Sequence, residues 1–348
     1  MRLILPFLIS LFFGVSVEAQ SWQVQTSGVD TNLRGLSVAL VSNAKGVAAM
    51  TVWASGSNGV ILKSIDEGKT WQRLHVAGGE ALDFRGIVAL NPSTAYVMSS
   101  GEGAQSRIYK TTDGGKTWRL QYTGKTKSFF LDALVCDDEK HCAALSDPVD
   151  GKFVILANMD GEHWTELPRE NMPAALPKEG AFAASNSSLC VEGKDIHFGT
   201  GGPAARVFAS HDFGRTWTVA ETPIVSGNAS SGIFSLFCDE MTIVAVGGDY
   251  QDPGRAYKNA AVSRDGGNTW ELATQLPGGY RSAAGKYNGG YVAVGPTGAE
   301  TSVDGLHWNF IGKVNFNAYA FPFPGSVGWA VGPHGTVAKF LDQTKYLL

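Results

Sequence analysis

Charge is scarce in this chain. Asp, Glu, Lys and Arg make up 17% of its 348 residues, against about 25% in an ordinary soluble protein. The two signs nearly cancel, 28 basic against 32 acidic, for a net charge of −4. That leaves no basic surplus for nucleic acid or for an anionic membrane, so any membrane association is peripheral at most. Long apolar runs are missing as well. The run Leu3 to Val17 is too short for a comfortable bilayer span. With Arg2 ahead of it and Val17-Glu18-Ala19 behind, it reads as a signal segment cleaved near Ala19. The expectation is a periplasmic or secreted mature protein, with an uncleaved anchor as the minority alternative. No Cys follows the run to carry a lipid, and there is no twin arginine. The seven His residues are scattered without ligand spacing, so no metal and no cofactor are expected.

Cysteine is sparse but not random. Cys136 and Cys142 flank the short stretch 137–141, which reads as a hairpin loop, and a disulfide across it is expected. Cys190 and Cys238 stand at equivalent places in successive repeats and could bridge neighbours, a pairing that spacing does not decide.

Glycine, with 43 copies, is plentiful, and much of it belongs to a recurring phrase. SIDEGKTW begins at Ser64 and returns as TTDGGKTW at Thr111, SHDFGRTW at Ser210 and SRDGGNTW at Ser263. Shorter forms, NMDGEHW from Asn158 and SVDGLHW from Ser302, complete the set. The aspartates are Asp66, Asp113, Asp160, Asp212, Asp265 and Asp304, so the steps are 47, 47, 52, 53 and 39 residues. Regular spacing in that range marks a repeat architecture. Each phrase joins two runs rich in β-branched and aromatic residues, as in a hairpin. The Asp carboxylate closes the turn on main-chain N–H groups, the Gly takes a conformation other residues resist, and the Trp opens the next strand. These are the demands of the Asp-box, or BNR repeat.

The chain ends supply a further unit. GSVGWAVGPHGTVAKFLD runs like a blade up to Asp342 but lacks the closing Trp, and SWQVQTSG from Ser21 offers one in Trp22. Joined, they make a seventh blade split between about 21–28 and about 314–342. The prediction is an all-β, seven-bladed β-propeller of four-stranded antiparallel blades in one domain, residues 20–348, closed by pairing its termini.

Aligning the repeats also aligns the start of each innermost strand. NLRGLSV, DFRGIVA, FFLDALV and GYRSAAG place Arg34, Arg85, Asp132 and Arg281 in one register, with Glu179 just ahead of blade four. Two readings stand side by side. The arginines pair with carboxylates such as Asp83 or Asp132 and tie blades together, or they converge on the channel mouth as a site for a carboxylate or phosphate. Among the loops, Ser226, Asn228, Ser230 and Ser231 form the polar cluster best suited to ligand contact. GTGG from Gly199 lacks the following helix and Lys-Ser/Thr of a phosphate loop and is set aside. The box aspartates, one per blade and distant from the channel, are structural. Asn186-Ser-Ser and Asn228-Ala-Ser are sequons that matter only if the source glycosylates exported proteins.

The boxes, the signal segment and the FRGI-type strand starts resemble the photosystem II stability/assembly factor-like group of BNR propellers, over about Trp22 to Asp342. The resemblance implies a non-enzymatic factor that binds a membrane-protein precursor through an arginine-rich patch, carried over here onto Arg34, Arg85 and Arg281. The expected partner is a protein, or an anionic small ligand or glycan at the channel mouth, and the expected state is a monomer. The rival class is the sialidases and related glycoside hydrolases, which also carry Asp-boxes. For it, the three arginines would mimic the carboxylate-binding triad, with Tyr280 or Glu179 nearby. The early Arg-Ile-Pro signature is absent, however, and tandem-propeller glucanases need two such domains.

Overall fold

A computed structural model describes residues 20–42, 48–322 and 327–342; the expected signal segment lies outside them. Seven antiparallel sheets follow one another along the chain, six of four strands and one of five. Blade one is typical: Leu33–Ser42 is innermost, followed outward by Ala48–Gly56, Ile61–Ser64 and Gln72–Leu74. The seventh sheet is closed by Gln20–Thr26, which pairs antiparallel with Thr336–Asp342 and sets Trp22 opposite Phe340. Trp22 lies 4.8 Å from Phe316 and 4.9 Å from Phe340, ring centre to ring centre. The chain is the expected seven-bladed propeller, ring closure included.

Apolar side chains alternate along these strands, so each sheet has two apolar faces, and both are buried against a neighbour. Seven apolar clusters result, one in each seam between consecutive blades. Trp53 and Trp329 are fully buried in two of these seams. Truncating either to Ala would cost about 3–5 kcal/mol.

The repeated turn explains itself in hydrogen bonds. Ser64 Oγ donates to Asp66 Oδ1 at 2.8 Å and accepts from the Gly68 amide at 2.7 Å. Asp66 Oδ1 accepts from the Thr70 amide at 2.9 Å, and Oδ2 accepts from the Thr70 hydroxyl at 2.6 Å. The same set recurs at Asp113, Asp212 and Asp265. In the two shorter turns the ring of His163 or His307 replaces the threonine hydroxyl. Gly68 and Gly115 have φ of +76° and +90°, conformations that other residues resist.

These turns also lock blade to blade. Lys63 of blade one donates to the carbonyls of Pro92 and Gly114 in the turns of blade two, at 2.7 and 3.2 Å. Lys110 reaches Gly161 of blade three in the same way, and Lys339 of blade seven reaches Glu67. Two disulfides add to this: Cys136–Cys142 within blade three, and Cys190–Cys238 between the innermost strands of blades four and five.

Candidate functional site

The shared register of Arg34, Arg85 and Asp132 has a backbone cause. In blade one the pairing steps from Leu33–Gly56 to Gly35–Ser55, leaving Arg34 outside the ladder. Blade two skips Arg85 between Phe84–Ser99 and Gly86–Met98, and blade three skips Asp132 between Leu131–Ser146 and Ala133–Leu145. Each is a β-bulge, a device that re-aims one side chain out of the sheet. Blade five has the same bulge at Phe234. Sequence reasoning passed over Phe234 because it is not charged, although Ile-Phe-Ser-Leu repeats the spacing of Leu-Arg-Gly-Leu.

Blade four breaks the pattern. Its innermost strand begins only at Leu189, and residues 181–188 ahead of it touch five other blades. The Ala184 carbonyl accepts from Arg34 Nη1 and the Ala183 carbonyl from Arg85 Nη1, both at 3.4 Å. Asn186 takes both the amide and the carbonyl of Leu134 in blade three at 2.7 Å. Ser187 bonds Ser235 of blade five, and Ser185 bonds the Ser282 carbonyl of blade six. Phe182 stacks on Phe234 at 3.8 Å, and Tyr280 meets Phe234 edge-on at 4.6 Å. At the level of the expected channel mouth, the chain's own segment thus crosses the axis. Gly86 is a glycine for this reason, since a Cβ there would stand 2.4 Å from Asn186 Oδ1. The Asn186 side-chain amide of the first sequon is thus committed to Leu134.

The five candidates therefore separate. Arg34, Arg85 and Asp132 gather around 183–184. Arg85 Nε donates to Asp83 Oδ2 at 2.7 Å. Arg34 has no carboxylate within ion-pair distance among the described residues, and burial beside the Arg85 guanidinium lowers its pKa. Asp132 is buried, its Oδ2 without a hydrogen-bond partner among the described residues, and burial together with the charge of Asp147 holds its pKa well above the usual range. Burial raises Asp147 to about 6, opposed by the bond it accepts from the Ala181 amide at 2.9 Å.

Glu179 and Arg281 are instead spent on structure. Glu179 accepts from Arg206 through both oxygens, and from the Thr200 hydroxyl and the Leu176 amide, each at 2.7 Å. Arg281 Nε and Nη2 clasp Glu300 at 2.5 Å, and Nη1 bonds the Tyr280 carbonyl and Thr297. The side chains of both Glu179 and Arg281 are 0% exposed, so a ligand meets neither. Tyr280, set near the arginines in the hydrolase reading, is buried, and desolvation raises its pKa rather than activating it.

The polar loop is satisfied locally. Asn228 donates to Asp249 at 3.0 Å and accepts from Ser230 through amide and hydroxyl, while Ser231 returns to the Asn228 carbonyl. Ser230 and Ser231 are buried; Ser226 is exposed. Gly201–Gly202, within the discounted GTGG, is a short strand added to the edge of Asn228–Asp239.

Three solved structures share the fold. The chain resembles YCF48 bound to D1 peptide at a TM-score of 0.60 and 14% identity, covering 92% of this chain and 96% of that one. YCF48 from Cyanidioschyzon merolae gives 0.61 and 16%, covering 92% and 98%. A catalytically inactive virginiamycin B lyase from Staphylococcus aureus with quinupristin gives 0.65 and 12%, covering 92% and 99%. In sequence, the chain is 25% identical over 278 residues to a probable oligoxyloglucan-reducing end-specific xyloglucanase of Neosartorya fischeri. That match takes in 78% of this chain but 31% of the relative, so the chain spans about a third of the length of that protein. Residues 19–271 match the model for the photosynthesis system II assembly factor YCF48, and the chain belongs to that family.

Proposed function

We propose that this chain is an exported, non-enzymatic propeller that binds a protein partner in the assembly or stabilisation of a membrane-associated complex. The observation that carries the reading is the pair Arg34 and Arg85, set side by side by matching bulges at the axis. Arg34 has no carboxylate partner among the described residues, its bonds going to the neutral Ala184 carbonyl and the Asn32 side-chain amide oxygen, so an incoming carboxylate meets a charge that no acid has yet compensated. Family membership supports a protein partner, and the two disulfides suit an oxidising compartment. The buried commitments of Arg281, Glu179 and Tyr280 take away the groups a hydrolase would have used.

The test is affinity capture from a membrane extract of the source organism, with the wild-type chain and with Arg34→Ala/Arg85→Ala. A partner retained by the wild type and lost by the variant supports the site; an identical set of partners removes it. The second reading, a glycan-active propeller, rests on the xyloglucanase match. Turnover of xyloglucan oligomers or fluorogenic sialosides by the purified chain would replace the scaffold reading with that one.

A further inference from the structure

Cys190, His197 and Cys238 converge although nothing in their spacing announces it. Cys190 and His197 stand directly opposite one another on Leu189–Glu192 and Asp195–Gly199 of blade four. Cys238 comes from Asn228–Asp239 of blade five. The two sulfurs and one imidazole nitrogen all lie within 4.8 Å of one another. On a tetrahedral zinc ion, with bonds of about 2.3 Å to sulfur and 2.0 Å to nitrogen, such atoms would stand about 3.5–3.8 Å apart. Small side-chain rotations cover the difference once the sulfurs are no longer bonded.

The histidine is already held as a ligand is held. His197 is buried, and its Nε2 lies 3.2 Å from the Gly266 carbonyl in the turn of blade five. A carbonyl can only accept, so Nε2 carries the ring proton and Nδ1 keeps its lone pair. An outer hydrogen bond of this kind fixes the tautomer and the orientation of metal-binding histidines. Cys190 and Cys238 are part-buried rather than fully enclosed.

We propose that Cys190, Cys238 and His197 form a redox-gated site for a thiophilic divalent cation, Zn²⁺ foremost. In the oxidised chain the sulfurs are bonded to each other and the site is closed. A dithiol or phosphine supplies two electrons, the S–S bond breaks, and two thiols form. The cation then takes two thiolates and the imidazole, two protons leave, and a water completes the tetrahedron. The seam between blades four and five thus exchanges a covalent tie for a metal tie when conditions turn reducing.

The test uses the whole chain, oxidised and reduced without air, titrated with Co²⁺ and then with Zn²⁺. The expected result is one equivalent of Co²⁺ per reduced chain with sulfur-to-cobalt charge-transfer absorption, displaced by Zn²⁺ and missing from the oxidised chain. His197→Ala should weaken binding at least about tenfold, while Cys136→Ser/Cys142→Ser should leave it unchanged. Equal binding by both redox states, or a cobalt signal that follows Cys136 and Cys142, overturns the proposal. The comparison of oxidised with reduced wild type needs no variant, so a failure of any substitution to fold does not remove the test.

Discussion

Gly68, in the turn of blade one, lies against Trp329 of blade seven so closely that a Cβ on it would stand 2.6 Å from the indole. Its φ is +76°. The glycine of the repeat therefore serves two ends, the turn and the seam behind it.

Gly68→Ala should destabilise by about 2–4 kcal/mol, from left-handed strain together with overpacking against Trp329. Gly78 has a similar φ of +74° but nothing within 4 Å of its would-be Cβ. Gly78→Ala should then cost only about 1 kcal/mol, the strain alone. Urea melts of the two variants separate the contributions; equal losses would mean that the seam contact is without weight.

The turn aspartates give an acid limb to stability. Hydrogen bonds from Thr70 and Ser64 hold Asp66 at about 2, and Asp113, Asp212 and Asp265 sit at about 2 for the same reason. Their folded pKa lies below the unfolded value, so their contribution is complete above about pH 4 and is lost as pH falls toward 2. Asp66→Asn should melt below wild type at pH 7, with a difference that shrinks toward pH 2. A gap that is constant with pH would show that the charge is not involved.

The central carboxylates act in the opposite sense. Asp147, raised to about 6, keeps its proton in the folded chain where the unfolded chain has lost it. Stability should therefore fall as pH rises from about 4 to about 6 and level off above. Asp147→Asn, which still accepts from the Ala181 amide, should gain up to about 3 kcal/mol at pH 7 and nothing at pH 4. Melting temperature against pH for the two proteins is the check.

Arg281 and Arg34 share a sequence register but should answer differently to truncation. Arg281→Ala leaves Glu300 charged and buried, at a cost of about 3–5 kcal/mol. Arg34→Ala, which removes bonds to neutral groups only, should cost less, about 1–2 kcal/mol, while weakening capture of the partner. If Arg281→Ala instead melts with the wild type, the Glu300 clasp is not the structural element described above.

Asn186→Ala should cost about 2–4 kcal/mol, because the amide and the carbonyl of Leu134 both lose their partner. Hydrogen exchange at Leu134 should accelerate with it. Protection that stays unchanged would show that 181–188 does not hold the axis.

The blade count was legible in the residues because a hairpin turn is a local problem. Asp66, Gly68 and Thr70 lie within hydrogen-bond reach along the chain, and the same solution is written again wherever the problem recurs. The seventh blade was legible for the same reason, since Trp22 and Asp342 each carry half of a phrase. The register of Arg34, Arg85 and Asp132 was visible too, although the bulge behind it was not, because a bulge is a relation between two strands. Phe234 occupies the same place and went unnoticed for want of charge.

What the residues could not decide was where long side chains spend their charges. Arg281 and Arg34 look alike in sequence, but Glu300, on the third strand of the same blade, claims the first, and among the described residues no carboxylate claims the second. Glu179 goes to Arg206 across the same kind of gap. Residues 181–188, which follow Glu179 where the blade-four strand was expected, close the axis through contacts with five other blades. His197 looked isolated until cross-strand register set it beside Cys190. Repetition along the chain determines the blade and how many there are. Which groups meet at the centre and in the seams is fixed only when the ring closes, because those partners belong to different repeats and no local rule relates them.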